Sequence, residues 1–188
     1  MKTLRKTAEE AYLKYANKII NRETWIDGFI SGIQYKKEYP QSIELCGLLW
    51  DTENLAIGGY EKDGHHYYTW QEAMDAAKAV GKRLPSCQEW KALCDLGSTW
   101  DDELKGRWFG GNHNSDHKGS LFLPAAGLKR GKLGELANTS SNGYYWSSSP
   151  LYGGNYCAGN LYFYSGNVYP LSNSGRAYGF SVRCVQNK

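Results

Sequence analysis

The stretch that decides the fold is GKRLPSCQEW, residues 81–90. Pro85 has no backbone N–H to donate, so an extended segment that reaches it ends there. Ser86, followed three residues later by Glu89, forms a capping box that satisfies free N–H groups at the start of a helix. Trp90 begins the apolar stripe of that helix, and we expect its side chain to be buried under a sheet. The stretch therefore predicts that a strand ends at Pro85 and that a helix begins directly after Ser86.

Secondary-structure signals on either side of this stretch are local and short. A second capping box, Thr69 to Glu72, predicts a helix that ends at Gly81. The predicted strands lie around Ala56–Tyr60, Tyr67–Thr69, Phe122–Leu128, Gly143–Ser148, Asn160–Tyr164, Val168–Pro170 and Gly179–Val185, with hairpin turns at Lys129–Lys132 and Ser165–Asn167. Helices placed early and antiparallel strands placed late predict an α+β domain.

Residues 1–40 have a different hydrophobic pattern from the rest of the chain. Apolar residues recur at helical spacing from Leu4 to Ile19, and a second helical stretch runs from about Glu23 to Glu38. We expect a short helical N-terminal extension. It is either a helical addition to the core of residues 43–188 or a docking segment through which the chain forms a homo-oligomer.

Charge and hydropathy exclude several classes of protein. The net charge is +3, from 22 basic and 19 acidic residues, which is too balanced to predict nucleic-acid binding. No apolar run approaches the ~20 residues that span a membrane, so we expect no membrane insertion. Polar Thr7–Glu10 stands where the apolar part of a secretory signal would be, so no signal peptide is predicted and the chain is expected to be made in the cytoplasm. The five cysteines are an odd number without CxxC spacing, which favours reduced thiols.

Two parts of the chain resemble known proteins. The stretch at 81–90 resembles the GxRLPTxxEW element of the formylglycine-generating-enzyme-like branch of the C-type lectin fold. The segments Gly143–Ser149 and Arg176–Val185 look like the flanks of the variable region in variable proteins of diversity-generating retroelements. Those are phage or bacterial binding proteins whose C-terminal codons are rewritten by adenine-directed mutagenesis. Over roughly residues 43–188, the resemblance implies a C-type lectin fold with an antiparallel sheet and two helices, and a variable region at 144–185.

The C-terminal region is uncharged and rich in tyrosine. No Asp, Glu, Lys or Arg lies between Glu135 and Arg176, and eight of the 15 tyrosines lie from Tyr144 to Tyr178. Tyrosine, serine, glycine and asparagine together are typical of antibody paratopes. Alternation in Asn160–Tyr164 predicts that Leu161 and Phe163 face a core while Tyr162 and Tyr164 face solvent. Alternation in Gly179–Val185 likewise predicts that Phe180, Val182 and Cys184 share a buried face. The alternative is that the tyrosines close a small aromatic core and the glycines only form turns.

Codon chemistry gives a second argument for diversification. Randomising the adenines of an AAY codon yields only NNY codons, which cannot encode Lys, Glu, Gln, Trp or Met. None of these residues occurs from Leu151 to Tyr178, although lysine and glutamate are common in proteins. The positions expected to vary and to bind ligand by the resemblance are Leu151, Tyr152, Gly153, Asn155, Tyr156, Cys157, Gly159, Tyr162, Tyr164, Tyr169, Leu171, Ser172, Asn173, Ser174, Ala177 and Tyr178.

Catalytic and metal-binding patterns are weak by comparison. His113, Asp116 and His117 lie in a glycine-rich loop that favours a solvated turn over a metal site. The calcium motifs of lectins are not present, so we expect no metal and no cofactor. Formylglycine-generating enzymes use a closely spaced cysteine pair, whereas Cys157 and Cys184 are far apart, and we expect no enzyme activity.

The prediction for function is therefore ligand binding. The expected partner is a protein or glycan on another cell or particle surface, recognised by a protein assembled on a phage virion or a cell surface. A catalytic protein of the formylglycine-generating-enzyme type and a structural tail-fibre module are the alternatives.

Overall fold

The structure is a computed structural model that describes residues 42–111, 117–131, 134–151 and 156–188. The predicted helical extension at 1–40 lies outside these residues. The helices are α1, Trp70–Ala79, and α2, Cys87–Asp95. The strands are β1 Ser42–Leu45, β2 Leu48–Asp51, β3 Tyr60–Lys62, β4 His65–Tyr67, β5 Ser98–Asp101, β6 Gly106–Phe109, β7 Leu121–Pro124, β8 Leu128–Arg130, β9 Glu135–Ala137, β10 Asn142–Pro150, β11 Cys157–Tyr164, β12 Val168–Gly175 and β13 Val185–Asn187.

The expected fold class, an α+β domain of the C-type lectin type, is wrong. The described part of the chain is mostly β, with 49% of residues in strands and 14% in two short helices. Its strands form five small antiparallel sheets with the orders β1–β2–β13, β3–β4, β5–β6–β7, β8–β9 and β10–β11–β12. The sequence misleads because β1, β2, β5 and β6 have four residues each, too few for a period of two to stand out.

Both helices begin where their capping boxes predicted. The Thr69 N–H donates to Glu72 Oε2 at 2.8 Å at the start of α1. At the start of α2, the Ser86 N–H donates to Glu89 Oε2 at 2.7 Å, and the Glu89 N–H donates to Ser86 Oγ at 3.2 Å. The Arg83 guanidinium also donates to both oxygens of Glu89, each at 2.8 Å. The helix-start predictions are thus confirmed, because a capping box is a purely local interaction.

Several predicted strands differ from those observed. Phe122–Leu128 was predicted as one strand, but β7 ends at Pro124 and β8 begins at Leu128. Between them Gly127 has a φ of +75°, and a Cβ there would collide with the Ala137 carbonyl oxygen, so the chain turns instead of extending. The predicted strand at Gly179–Val185 is a series of isolated bridges that precedes β13.

Two hydrophobic cores lie on the two faces of the β10–β11–β12 sheet. Tyr145, Leu161 and Phe163 belong to the first core with Trp90 of α2, and each has no exposed surface. Trp146 of β10 and Ala158 of β11 belong to the second core instead. The second core also holds Phe180, Val182 and Cys184. The predicted burial of Leu161, Phe163, Phe180, Val182, Cys184 and Trp90 is confirmed.

A buried arginine joins the C-terminal segment to the rest of the fold. The Arg183 side chain donates to Asn54 Oδ1 at 2.7 and 3.0 Å, to the Asp51 carbonyl at 2.9 Å and to the Phe122 carbonyl at 3.1 Å. Only 1% of its surface is exposed, and this burial lowers the pKa of the guanidinium. Arg183 therefore connects three segments that are distant in sequence.

Candidate ligand-binding surface

A row of tyrosines crosses the three strands of the β10–β11–β12 sheet. Strand register places Tyr144 opposite Tyr162, and Tyr162 opposite Tyr169. Their ring centroids are 4.9 and 5.4 Å apart, with interplanar angles of 21° and 10°. The ring of Tyr164 lies 6.0 Å from Tyr162 and 6.3 Å from Tyr169. We call these four residues the tyrosine cluster, and their stacked geometry is one that aromatic side chains prefer.

Tyr162 and Tyr164 are less exposed than expected. Both are half-buried, whereas Tyr169 at the sheet edge is 41% exposed. The reason is that each ring is covered by its neighbours in the cluster, and Tyr144 in turn packs on Phe180 of the second core at 5.1 Å. Tyr162 and Tyr164 nevertheless lie outside both cores, so the aromatic-core alternative does not describe them.

Asparagine amides hold the hydroxyl groups of the tyrosine cluster. Asn142 Nδ2 donates to the Tyr162 hydroxyl at 3.0 Å, and Asn138 Nδ2 donates to the Tyr144 hydroxyl at 3.0 Å. Burial raises the pKa of Tyr162, and the neighbouring Tyr169 hydroxyl raises the pKa of Tyr164. These two hydroxyls therefore stay neutral at physiological pH.

An open groove runs along the tyrosine cluster and the edge strand β12. Its volume is about 710 Å³, and it is lined by Tyr162, Tyr164, Val168, Tyr169, Pro170, Leu171 and Ser172. None of these side chains is charged. Leu171 is 53% exposed, so the groove combines aromatic rings with aliphatic surface that is open to a partner.

A second buried arginine positions the hairpin that carries the groove. Arg107 of β6 donates to the main-chain carbonyls of Tyr164 at 3.2 Å and Ser165 at 3.0 Å, and to Ser98 Oγ at 2.5 Å. Its side chain is almost fully buried, which lowers its pKa. The β11–β12 turn is thus held through backbone atoms.

The aromatic surface continues beyond the groove toward the 176–178 turn. Tyr178 stacks on Phe180 at 6.1 Å, and Phe180 contacts Tyr144 of the cluster. The Arg176 guanidinium lies 4.1 Å from the centre of the Trp70 ring and donates to the Cys157 carbonyl at 3.0 Å. This turn is therefore fixed against α1 next to the sheet.

The predicted ligand-binding positions do not share one environment. Those exposed are Leu151, Tyr156, Tyr169, Leu171, Asn173, Ala177 and Tyr178, and those half-buried are Cys157, Tyr162, Tyr164, Ser172 and Ser174. Tyr152, Gly153 and Asn155 lie outside the described residues. Gly159 is buried. Sequence reasoning missed Tyr144 as a member of the cluster, although its alternation with buried Tyr145 in β10 was a usable signal.

Gly159 should not tolerate diversification. A Cβ at this position would overlap with Cys87 Sγ of α2 and would lie 2.8 Å from Ser147 Oγ. We expect Gly159→Ser to lower the free energy of unfolding by about 1–3 kcal/mol, because overpacking forces neighbours to move. Asn173→Ser, at the exposed position paired with Gly159, should change it by about 0.5 kcal/mol or less. Urea denaturation of both variants measures this, and equal stabilities would contradict the assignment of Gly159 to the scaffold.

The cysteines and histidines occupy separate environments. Cys184 is buried, and burial raises its pKa to about 12, so its thiol is protonated and unreactive at neutral pH. His117 stacks on Trp108 at 4.3 Å, while His113 and Asp116 lie outside the described residues. Within the described ranges, no three His, Cys, Asp or Glu side chains are grouped so as to hold a metal ion. Neither of the two described helices is long and apolar enough to cross a membrane.

Comparison with known proteins adds no relative. Protein-family models, curated proteins and solved structures each gave no match to this chain.

Proposed function

We propose that this chain is a ligand-binding protein whose C-terminal surface is diversified, and that it is a variable protein of a diversity-generating retroelement. The observation that carries the proposal is the tyrosine cluster. Three of its rings, Tyr162, Tyr164 and Tyr169, line an uncharged groove and belong to neither of the two hydrophobic cores. Tyrosine gives a large amphipathic contact at low entropic cost, which suits a surface that must bind different targets.

The distribution of burial supports a division between scaffold and binding surface. Leu161 and Phe163 fill the first core, while Tyr162 and Tyr164, which alternate with them, lie at the groove. A change at the three groove tyrosines therefore leaves the main source of folding free energy intact. The exposed rings of Tyr156 and Tyr178 add further aromatic surface in the C-terminal region.

The biological setting follows from this role as part of the proposal. The ligand is a molecule on another cell or particle surface, and the chain is displayed on a phage virion or a cell surface. Residues 1–40 attach the binding domain to its assembly or join copies of the chain. In this proposal the C-terminal region binds the ligand, and residues 1–40 connect the binding domain to its assembly or to other copies of the chain.

The nucleotide sequence around the gene tests diversification directly. We expect a nearby near-copy of the coding region for residues 144–185 that differs from it only where the copy has adenine, together with a reverse-transcriptase gene. Substitutions should fall at codons for groove and loop positions such as Tyr169 and Asn173. The codons for Leu161, Phe163 and Gly159 should be identical in both copies. A locus with neither the repeat nor the reverse transcriptase would refute diversification.

A further inference from the structure

We propose that the groove binds an uncharged segment of a protein, which inserts an aromatic or aliphatic side chain between Tyr164 and Leu171, and that it does not bind a glycan. This inference rests on the proposed function and names the class of partner that the same surface takes.

Two of the three tyrosine hydroxyls that line the groove already accept a hydrogen bond within the protein. Asn142 donates to the Tyr162 hydroxyl at 3.0 Å, and Asn167 Nδ2 donates to the Tyr169 hydroxyl at 3.2 Å. A sugar ring carries hydroxyl groups around its whole rim, and each one that is buried without a partner costs free energy. Apart from three tyrosine hydroxyls and the Ser172 hydroxyl, the side chains of the groove offer such a ligand no polar group.

The remaining lining is aliphatic or nearly so. Val168, Pro170 and Leu171 offer no polar side-chain atom, and Ser172 adds one hydroxyl. No carboxylate or amide side chain lines the groove, so no side chain there can bind two neighbouring sugar hydroxyls in the bidentate manner of those groups. Aromatic rings and aliphatic walls instead suit the apolar anchor residues that dominate protein–protein interfaces.

The lack of charged side chains in the groove also restricts which residues of a partner can bind there. The groove has no ionised side chain, and the nearby Arg107 is committed to the carbonyls of Tyr164 and Ser165. A charged partner residue buried here would lose its hydration without gaining an opposite charge. The segment that contacts the groove should therefore lack Asp, Glu, Lys and Arg.

Shape excludes a small free molecule as the main occupant. Small-molecule sites enclose most of the ligand surface, whereas this groove lies open along five consecutive residues of the edge strand, 168–172. Only a macromolecule that extends past the groove can cover the exposed surface of Tyr169 and Leu171.

Two probe sets distinguish a protein from a glycan partner. The full chain is immobilised and offered a phage-displayed library of random cyclic peptides and, separately, a glycan array. We expect enriched peptides with an aromatic or aliphatic anchor and no charged residue beside it. Glycan binding that depends on the groove would overturn the inference and leave the proposed binding function standing. Enriched peptides with charged contact residues would also overturn the inference. A failure to bind either probe set would overturn both.

Variants at Leu171 place the binding in the groove. Leu171→Asp and Leu171→Asn have side chains of the same shape and differ in charge, so the ratio of their affinities reports the cost of a buried charge. We expect the selected peptides to bind Leu171→Asp at least about 30-fold more weakly than the parent chain, as at a hot spot, and Leu171→Asn to lie between the two. Ile57→Asp is the control for location, because Ile57 is 59% exposed and does not line the groove. Equal loss in the Leu171→Asp and Ile57→Asp variants, or none in either, would refute the assigned site; circular-dichroism melts check that all variants fold.

Discussion

Replacement of Arg183 by alanine should lower the free energy of unfolding by about 3–5 kcal/mol. The truncation leaves Asn54 Oδ1 and the main-chain carbonyls of Asp51 and Phe122 without their donors in a buried site. The truncation also leaves a cavity, because only 1% of the Arg183 surface is exposed. Urea unfolding followed by tryptophan fluorescence measures the loss.

Two further variants separate the geometry of Arg183 from its charge. Arg183→Lys keeps the positive charge but cannot reach three acceptors with a planar fork, so we expect it to recover only part of the lost stability. Arg130→Ala removes an exposed arginine and should change the free energy of unfolding by about 0.5 kcal/mol or less. A full rescue by lysine would show that charge alone, and not the fork, stabilises the C-terminal segment.

Phe163→Ala should also cost about 3–5 kcal/mol, whereas Tyr169→Ala should cost about 1 kcal/mol or less. Phe163 is fully buried, and its ring contacts Phe109 at 5.7 Å and Tyr145 at 6.1 Å. Tyr169 belongs to the same hairpin but stands at the sheet edge, where truncation removes its stacking on other tyrosines and one exposed hydrogen bond from Asn167. Equilibrium unfolding of the two variants compares a core ring with a groove ring.

The contrast between these two rings tests the separation of scaffold from binding surface. If Tyr169→Ala destabilised the protein as much as Phe163→Ala, the tyrosine cluster would be a structural core and the proposed function would lose its physical basis. The reverse pattern, a stable Tyr169→Ala that no longer binds selected peptides, would support it.

Local signals in the sequence predicted their elements well. The Ser86 and Thr69 capping boxes placed both helices, because their hydrogen bonds join residues three positions apart. Alternation in β11 likewise identified Leu161 and Phe163 as core residues. These features depend on neighbours along the chain, and the sequence displays such neighbours directly.

Contacts between distant segments could not be anticipated in this way. We expected the β10–β11–β12 sheet to have one buried and one solvated face, as antiparallel sheets often do. Instead the second core covers part of the other face, and on the rest of that face the tyrosines cover one another, which leaves Tyr162 and Tyr164 half-buried. The contact of Gly159 with Cys87 arises only when α2 packs on β11. The Arg107 contacts with the β11–β12 turn likewise have no local sequence signature.

The hydrogen bonds from Arg107 to the β11–β12 hairpin affect how freely the side chains of that hairpin can change in evolution. Its guanidinium binds the carbonyl oxygens at 164 and 165, which every amino acid supplies in the same place. A mutation that changes the side chain at position 164 thus leaves the anchor intact, and the backbone can present a new residue without a compensating change elsewhere. Many different substitutions can be tolerated at such a site, because the hairpin backbone keeps its position in every variant. A single arginine outside the proposed variable region can in this manner support a large repertoire of sequences.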